Sequence, residues 1–169
     1  MPVWLYATAA AGYLADRLTK VVVERTLAGE PPLEIIPRVL TFNYTTNSGG
    51  AFGIGRSAPW VFAGATIVVS VVIVAVSFRL RRLPVAISLG LILGGALGNL
   101  TDRAVNGSGL SGHVVDFIDL QVWPVFNLAD TAIVVGAVLL ALATAGPEQR
   151  DGPAELAERA DHGDRPSEP

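Results

Sequence analysis

PWVFAGATIVVSVVIVAVSF, residues 59–78, is a run of 20 positions without a charged side chain. A helix of that length rises about 30 Å, the thickness of the hydrocarbon core of a bilayer. Arg79, Arg81 and Arg82 close the run. Three arginines in so short a connection place it in the cytoplasm, because positive side chains are retained on that side. Three further apolar segments accompany it, at about 3–23, 84–103 and 125–145. With the arginine turn inside, the first segment runs outward, the loop 24–57 lies outside, the third segment runs outward and the fourth returns. The chain therefore reads as an α-helical polytopic membrane protein: four transmembrane helices and a small extracytoplasmic β-containing loop region, one domain over 1–146, both termini cytoplasmic. Arg25, Arg38 and Arg56 in the outer loop oppose this orientation but are spread over a longer stretch.

Composition agrees. Of 169 residues 51% are hydrophobic and the mean hydropathy is +0.49, where a soluble core of this size would need more polar surface. The net charge of −3 is uneven. From Pro147 onward seven acids stand against three arginines, with few large apolar residues, so 147–169 is expected to be a disordered acidic cytoplasmic tail. What remains carries +1, which leaves no basic face for nucleic acid. The absence of cysteine excludes disulfides, thiolate catalysis and cysteine metal sites. His113 and His162 are far apart, so no metal and no cofactor is expected.

Asp16, Arg17 and Lys20 interrupt the first segment. Ala7-Thr8-Ala9 has the small-residue form of a signal-peptide cleavage site, but it comes too early and no positive side chain precedes the apolar run. Asp16 and Lys20, four apart, share a helix face and can pair, which lowers the cost of keeping them in the membrane. A structural ion pair near the membrane edge accounts for them equally well. In the outer loop, residues 39–45 (VLTFNYT) are β-branched and aromatic and predict a strand. NSGGAFG, residues 47–53, follows: its glycines permit close backbone approach and Asn47 can hydrogen-bond a peptide group, although an ordinary glycine turn has the same composition. The third helix ends in GGALGNLTDR, residues 94–103. Its small residues let a neighbouring helix approach, while Asn99, Asp102 and Arg103 arrive at the outer edge, where an arginine fork can hold a carboxylate or a carbonyl.

HVVDFIDLQVWPVFNLADTAI, residues 113–133, brings two aspartates to the same edge. Asp116 stands in an apolar run that makes a carboxylate costly, and Asp130 lies in the first turns of the fourth helix. Ionisable groups at membrane depth are functional candidates. Residues 114–120 predict an extended piece, on which Asp116 and Asp119 project to opposite sides. Asn127 followed three residues later by Asp130 also has the form of an N-cap with a first-turn carboxylate. Whether the two aspartates meet is left open by the spacing, because their 14-position separation is interrupted by Pro124.

Four separated patches resemble one family, the bacterial lipoprotein signal peptidases (signal peptidase II): Asp16-x-x-Thr19-Lys20; Asn47-x-Gly49-x-Ala51-Phe52; Gly94-Gly95-Ala96-x-Gly98-Asn99-x-x-Asp102-Arg103; and Val114-Val115-Asp116-Phe117-Ile118 with Phe126-Asn127-x-Ala129-Asp130. They fall in family order over about 13–133, and jointly they are specific although singly none is. The resemblance implies an intramembrane aspartic endopeptidase of the bacterial cell membrane, with its site near the outer face. It would cut signal peptides from lipid-modified prolipoproteins just before the diacylglyceryl-cysteine. The catalytic pair would be Asp116 and Asp130, supported by Asp16, Lys20, Asn47, Gly49, Asn99, Asp102, Arg103 and Asn127. Expected partners are those substrates and membrane lipid, and the protein is expected to be a monomer. In one respect the chain departs from the pattern: 104–112 is long and 119–125 short.

The residues fit that chemistry by themselves. Two carboxylates sharing a poorly solvated site cannot both ionise cheaply, so one keeps its proton, as in the aspartic proteases. The ionised one activates water while its partner polarises the scissile carbonyl. Coupled groups titrate as a pair, so the ionised member is not assigned, although the helix dipole favours Asp130. The competing class is a proton-coupled small membrane carrier, because membrane carboxylates also relay ions. A non-catalytic scaffold is third. Against a carrier, every acid of the helical region falls toward one side.

Overall fold

The computed structural model describes residues 1–49 and 59–145. Four helices, α1 (Pro2–Leu27), α2 (Pro59–Ser77), α3 (Leu83–Val105) and α4 (Leu128–Thr144), carry a three-stranded antiparallel sheet of β1 (Leu33–Ile36), β2 (Leu40–Asn47) and β3 (Val114–Asp119), in the order β1-β2-β3. Trp60–Ser77 and Leu83–Val105 are long and apolar enough to cross a membrane. α4 is a shorter apolar helix and α1 carries charge.

Burial is inside out relative to a soluble bundle. On α1, Asp16 and Lys20 are buried while Leu14, Leu18 and Val22 are exposed; on α2, Val68, Val71 and Val72 are exposed. Apolar surface on this scale marks a face that meets protein or membrane instead of water. What draws the helices together is close approach at small residues. α3 packs on α1 and α4, and a Cβ added at Gly94 would lie 2.5 Å from the Ala9 carbonyl oxygen, one at Gly95 2.4 Å from that of Ala129. Gly90 and Gly98 likewise face α1, and Gly136 of α4 faces Ser88. The glycine ladder thus makes α3 the central helix.

The sheet caps the end of the bundle where α1 and α3 finish and α4 starts. Register pairs Thr45 with Asp116 and Asn47 with Val114, with an irregularity between Phe42 and Thr45. Its inner face buries Val115 and Phe117 on Val23 near the end of α1, with Leu27, Phe42 and Tyr44 packed around them. A second apolar cluster, Leu5, Ala9, Ile73, Ala86 and Leu93, ties α1, α2 and α3 together at the other end.

Three boundaries differ from the sequence reading. α1 extends past residue 23 to Leu27, because Val23 and Leu27 pack against Val115 and Phe117 of the sheet while Glu24 and Arg25 of the last turns stay exposed. β1 lies in the proline-flanked loop that carried no strand signal. α4 begins at Leu128, not 125. Phe126 instead pairs with Ile118 in an isolated antiparallel bridge, and Pro124 precedes it. The 50–53 part of the glycine motif and the acidic tail 147–169 lie outside the described residues.

Candidate active site

Four elements meet around one asparagine. Asn127, fully buried, is the N-cap of α4: its Oδ1 accepts from the Asp130 amide at 2.9 Å, and Asp130 Oδ2 accepts in return from the Asn127 amide at 3.3 Å. This reciprocal capping box satisfies two backbone donors that a helix start leaves unpaired. The Asn127 side chain also donates from Nδ2 to Asp116 Oδ1 at 2.6 Å. Asn127 therefore touches both aspartates, and the two line one cavity of about 370 Å³ with Asn47, Gly49, Asn99 and Arg103. The fold-back that the spacing left open is made by the Ile118–Phe126 bridge, which returns the chain from β3 to the start of α4.

Asp116 is 2% exposed. Its Oδ2 accepts from Asn47 Nδ2 at 3.2 Å, a diagonal contact between residues on one face of the β2–β3 pair. Burial, and then the charge of Asp130, push its carboxyl up to about 7, against the opposing hydrogen bonds from Asn127 and Asn47. Asp130 Oδ1 accepts from Asn99 Nδ2 at 2.8 Å. Asp119 does not join them: its Oδ1 accepts from the Gln121 amide in the following turn.

Behind the aspartates lies a buried charge cluster. The Lys20 ammonium is 2.9 Å from Asp16 Oδ2 and 2.8 Å from Asp102 Oδ2, and it donates to Asn99 Oδ1 at 2.9 Å. Asp16 Oδ1 accepts from the Ala129 amide at 2.9 Å, in the first turn of α4. Asp102 Oδ2 accepts from the Val115 amide, next to Asp116, at 3.2 Å. The cluster so holds α4 and β3 from below. Asp102 binds Lys20, Arg17 and β3. Arg103, 6% exposed, donates to the Gly49 carbonyl at 3.2 Å and to the Asn99 carbonyl at 3.3 Å, and its buried Nε has no hydrogen-bond partner among the described residues. Gly49 itself is held by Asn47 Oδ1, which accepts from its amide at 3.0 Å.

Arg17, which pairs with Asp102 across helices, escaped the sequence reading. It sits one position off the Asp16–Lys20 face, and no spacing rule links it to a residue 85 positions away. The apolar cavity walls were missed for the same reason: Phe62 and Thr66 from α2 and Trp123 and Val125 from the loop before α4 have no local pattern that marks them.

With this geometry in place, comparisons with known proteins agree closely. Residues 8–145 match the model of the family described as signal peptidase (SPase) II. A lipoprotein signal peptidase of Streptomyces coelicolor is 45% identical over 139 residues, covering 82% of this chain and 68% of the relative. One of Pelotomaculum thermopropionicum is 40% identical over 142 residues, covering 83% and 90%. A solved structure described as a bacterial membrane enzyme superposes with TM-score 0.72 at 29% identity over 85% of this chain and 94% of the other. A second, of the same description, has TM-score 0.71 at 25% identity, covering 97% and 94%.

Proposed function

The chain belongs to the signal peptidase II family, and on that premise we propose that it is an intramembrane aspartic endopeptidase with Asp116 and Asp130 as its catalytic pair. It removes signal peptides from prolipoproteins, cleaving before the lipid-modified cysteine. The observation that carries the reading is the shared cavity: two carboxylates joined through Asn127, one of them with its carboxyl raised to about 7.

Asp130 is the ionised member. Its carboxylate receives the Asn127 amide and the Asn99 side chain at the positive end of α4. Asp116, buried and beside that charge, keeps the proton. Water attacks the scissile carbonyl carbon as Asp130 takes one of its protons, and Asp116 gives its proton to the carbonyl oxygen. As the C–N bond breaks, Asp130 delivers its proton to the leaving amine while a hydroxyl of the tetrahedral carbon returns one to Asp116. The pair ends with the single proton it began with. Arg103 and Asn47 hold the β2 end of the cleft in place beside the dyad.

All four helices span the membrane, with both termini cytoplasmic and the site near the outer face. α4, at 17 residues, rises roughly 25 Å, so Asn127 and the dyad sit at the edge of the hydrocarbon, where a peptide bond and water can both reach them. A carrier would need unpaired acids deeper in the bundle, yet α2 has none, α4 only Asp130, and Asp16 of α1 and Asp102 of α3 are held by Lys20 and Arg17.

The test is cleavage of a lipid-modified prolipoprotein by purified variants, normalised to folded protein. Asp116→Asn and Asp130→Asn each keep shape and hydrogen bonding but remove a titrating group, and each is expected to lower turnover by about 10²–10⁴-fold or more while substrate still binds. Asp119→Asn is expected to cleave normally. Wild-type turnover from either dyad variant would end the reading.

A further inference from the structure

Resting on the peptidase reading, we propose that Trp123 is a specificity-determining residue that divides the substrate cleft in two, and that the outer chamber takes an acyl chain of the lipid-modified cysteine. Asp130 borders two cavities. Beyond the dyad cavity lies a second, of about 310 Å³, lined by Leu120, Trp123, Phe126, Thr131, Val134 and Val135. Trp123, Phe126 and Val134 border both, so they form the partition, and a reacting group at Asp130 has apolar space on either side.

The two chambers differ in chemistry. Asn47, Asn99, Arg103 and Asp116 all open into the first, which suits a peptide with its amides. In the second the polar side chains are Asp130 at the edge, Thr131, whose hydroxyl already donates to the Asn127 carbonyl at 3.0 Å, and the single indole N–H of Trp123. The remaining lining, Leu120, Phe126, Val134 and Val135, is apolar, and hydrocarbon loses nothing by entering. The space holds on the order of ten water-sized groups, a length of acyl chain rather than a whole lipid.

The outer chamber also leads somewhere. Thr131, Val135, Val138 and Leu142 follow one another at helical spacing on a single face of α4, and the last three are 44%, 54% and 68% exposed. A chain seated behind Trp123 can therefore continue down this apolar track into the bilayer, which a substrate still anchored in lipid requires. The partition is held in place from both ends. Phe126 exchanges backbone hydrogen bonds with Ile118 at 3.1 and 2.8 Å. At the other end Gln121, in the left-handed region with φ 65°, donates from Nε2 to Thr41 Oγ1 at 3.3 Å.

The experiment uses the full chain in detergent micelles and one prolipoprotein peptide whose cysteine carries either two palmitoyl or two butyryl chains, and reads the ratio of kcat/KM for the long-chain over the short-chain form. Trp123→Ala, which opens the partition, and Val135→Trp, which fills the outer chamber, are each expected to lower that ratio about tenfold relative to wild type. Trp123→Phe is expected to keep it within about threefold. A ratio unchanged in both the Ala and the Trp variants overturns the inference even if both cleave well. A folded wild-type chain that cleaves neither form overturns the peptidase reading itself.

Discussion

Lys20→Met isolates the buried charge cluster. The side chain is 1% exposed, and its ammonium is 2.9 Å from Asp16 Oδ2 and 2.8 Å from Asp102 Oδ2. Methionine keeps an unbranched stem and removes the charge, which leaves two buried carboxylates without the cation between them. Removing one partner of a buried pair costs about 3–5 kcal/mol, about a fifth or more of the roughly 5–15 kcal/mol that holds a domain folded. The two acids are not equivalent. Asp102 keeps Arg17 beside it, whereas Asp16 has Lys20 as its ion-pair partner and one amide, that of Ala129, donating to it. Lys20→Met with Asp16→Asn should therefore recover more of the loss than Lys20→Met with Asp102→Asn. Thermal unfolding of the four proteins in one detergent, followed by tryptophan fluorescence, measures both the loss and the recovery. A single variant within 1 kcal/mol of wild type, or a better recovery from Asp102→Asn, would refute the placement of charge.

The cleavage rate should fall as pH rises through about 7, because Asp116 must hold its proton and its carboxyl titrates there. Asn47→Ala removes a hydrogen bond that favours the anion, so that limb should move to higher pH; a shift downward in the pH–rate profile would contradict it. In stability the sign is the same: the fold favours the acid form, so the contribution of Asp116 is complete below the unfolded value near 4 and lost as pH rises through 7, visible in unfolding midpoints of wild type against Asp116→Asn. Gly95→Ala places a Cβ 2.4 Å from the Ala129 carbonyl oxygen and should cost about 1–3 kcal/mol while displacing the start of α4. Gly12→Ala, with nothing within 4 Å, should be neutral or stabilising in the same unfolding assay. For topology, a chain without cysteine allows single-cysteine labelling with an impermeant reagent: Ser48→Cys should react from outside and Arg81→Cys only after permeabilisation.

Much of this molecule is written in local runs. The unbroken apolar stretch at 59–78 and the helical spacing of Asp16 and Lys20 are properties of neighbouring residues, and they carry a helix and one ion pair. The alternation around Asp116 announced a strand and put Asp119 on its other side, because a pleated strand alternates whatever it packs against. Asn127 and Asp130 announced a helix cap from three-residue spacing alone. Here the modest structural reading and the functional one describe the same atoms, since the capping box that starts α4 is also what presents Asp130 to the cavity.

Only the tertiary structure decided that the aspartates share a cavity, that Asn127 joins them, and that Asp102 serves β3 through Val115 and pairs with Arg17. Each of these depends on contacts between residues 11 to 85 positions apart, whose formation is set by how closely the helices approach. That approach is governed by the glycines of α3, where the absence of a side chain lets the α1 and α4 backbones come within a Cβ's radius. A sequence records which positions are small, but which neighbour fills the space is determined by the packing of all four helices at once. The same holds for Trp123: its place between two cavities follows from the return of the chain at the Ile118–Phe126 bridge, a pairing that appears only when the loop is closed.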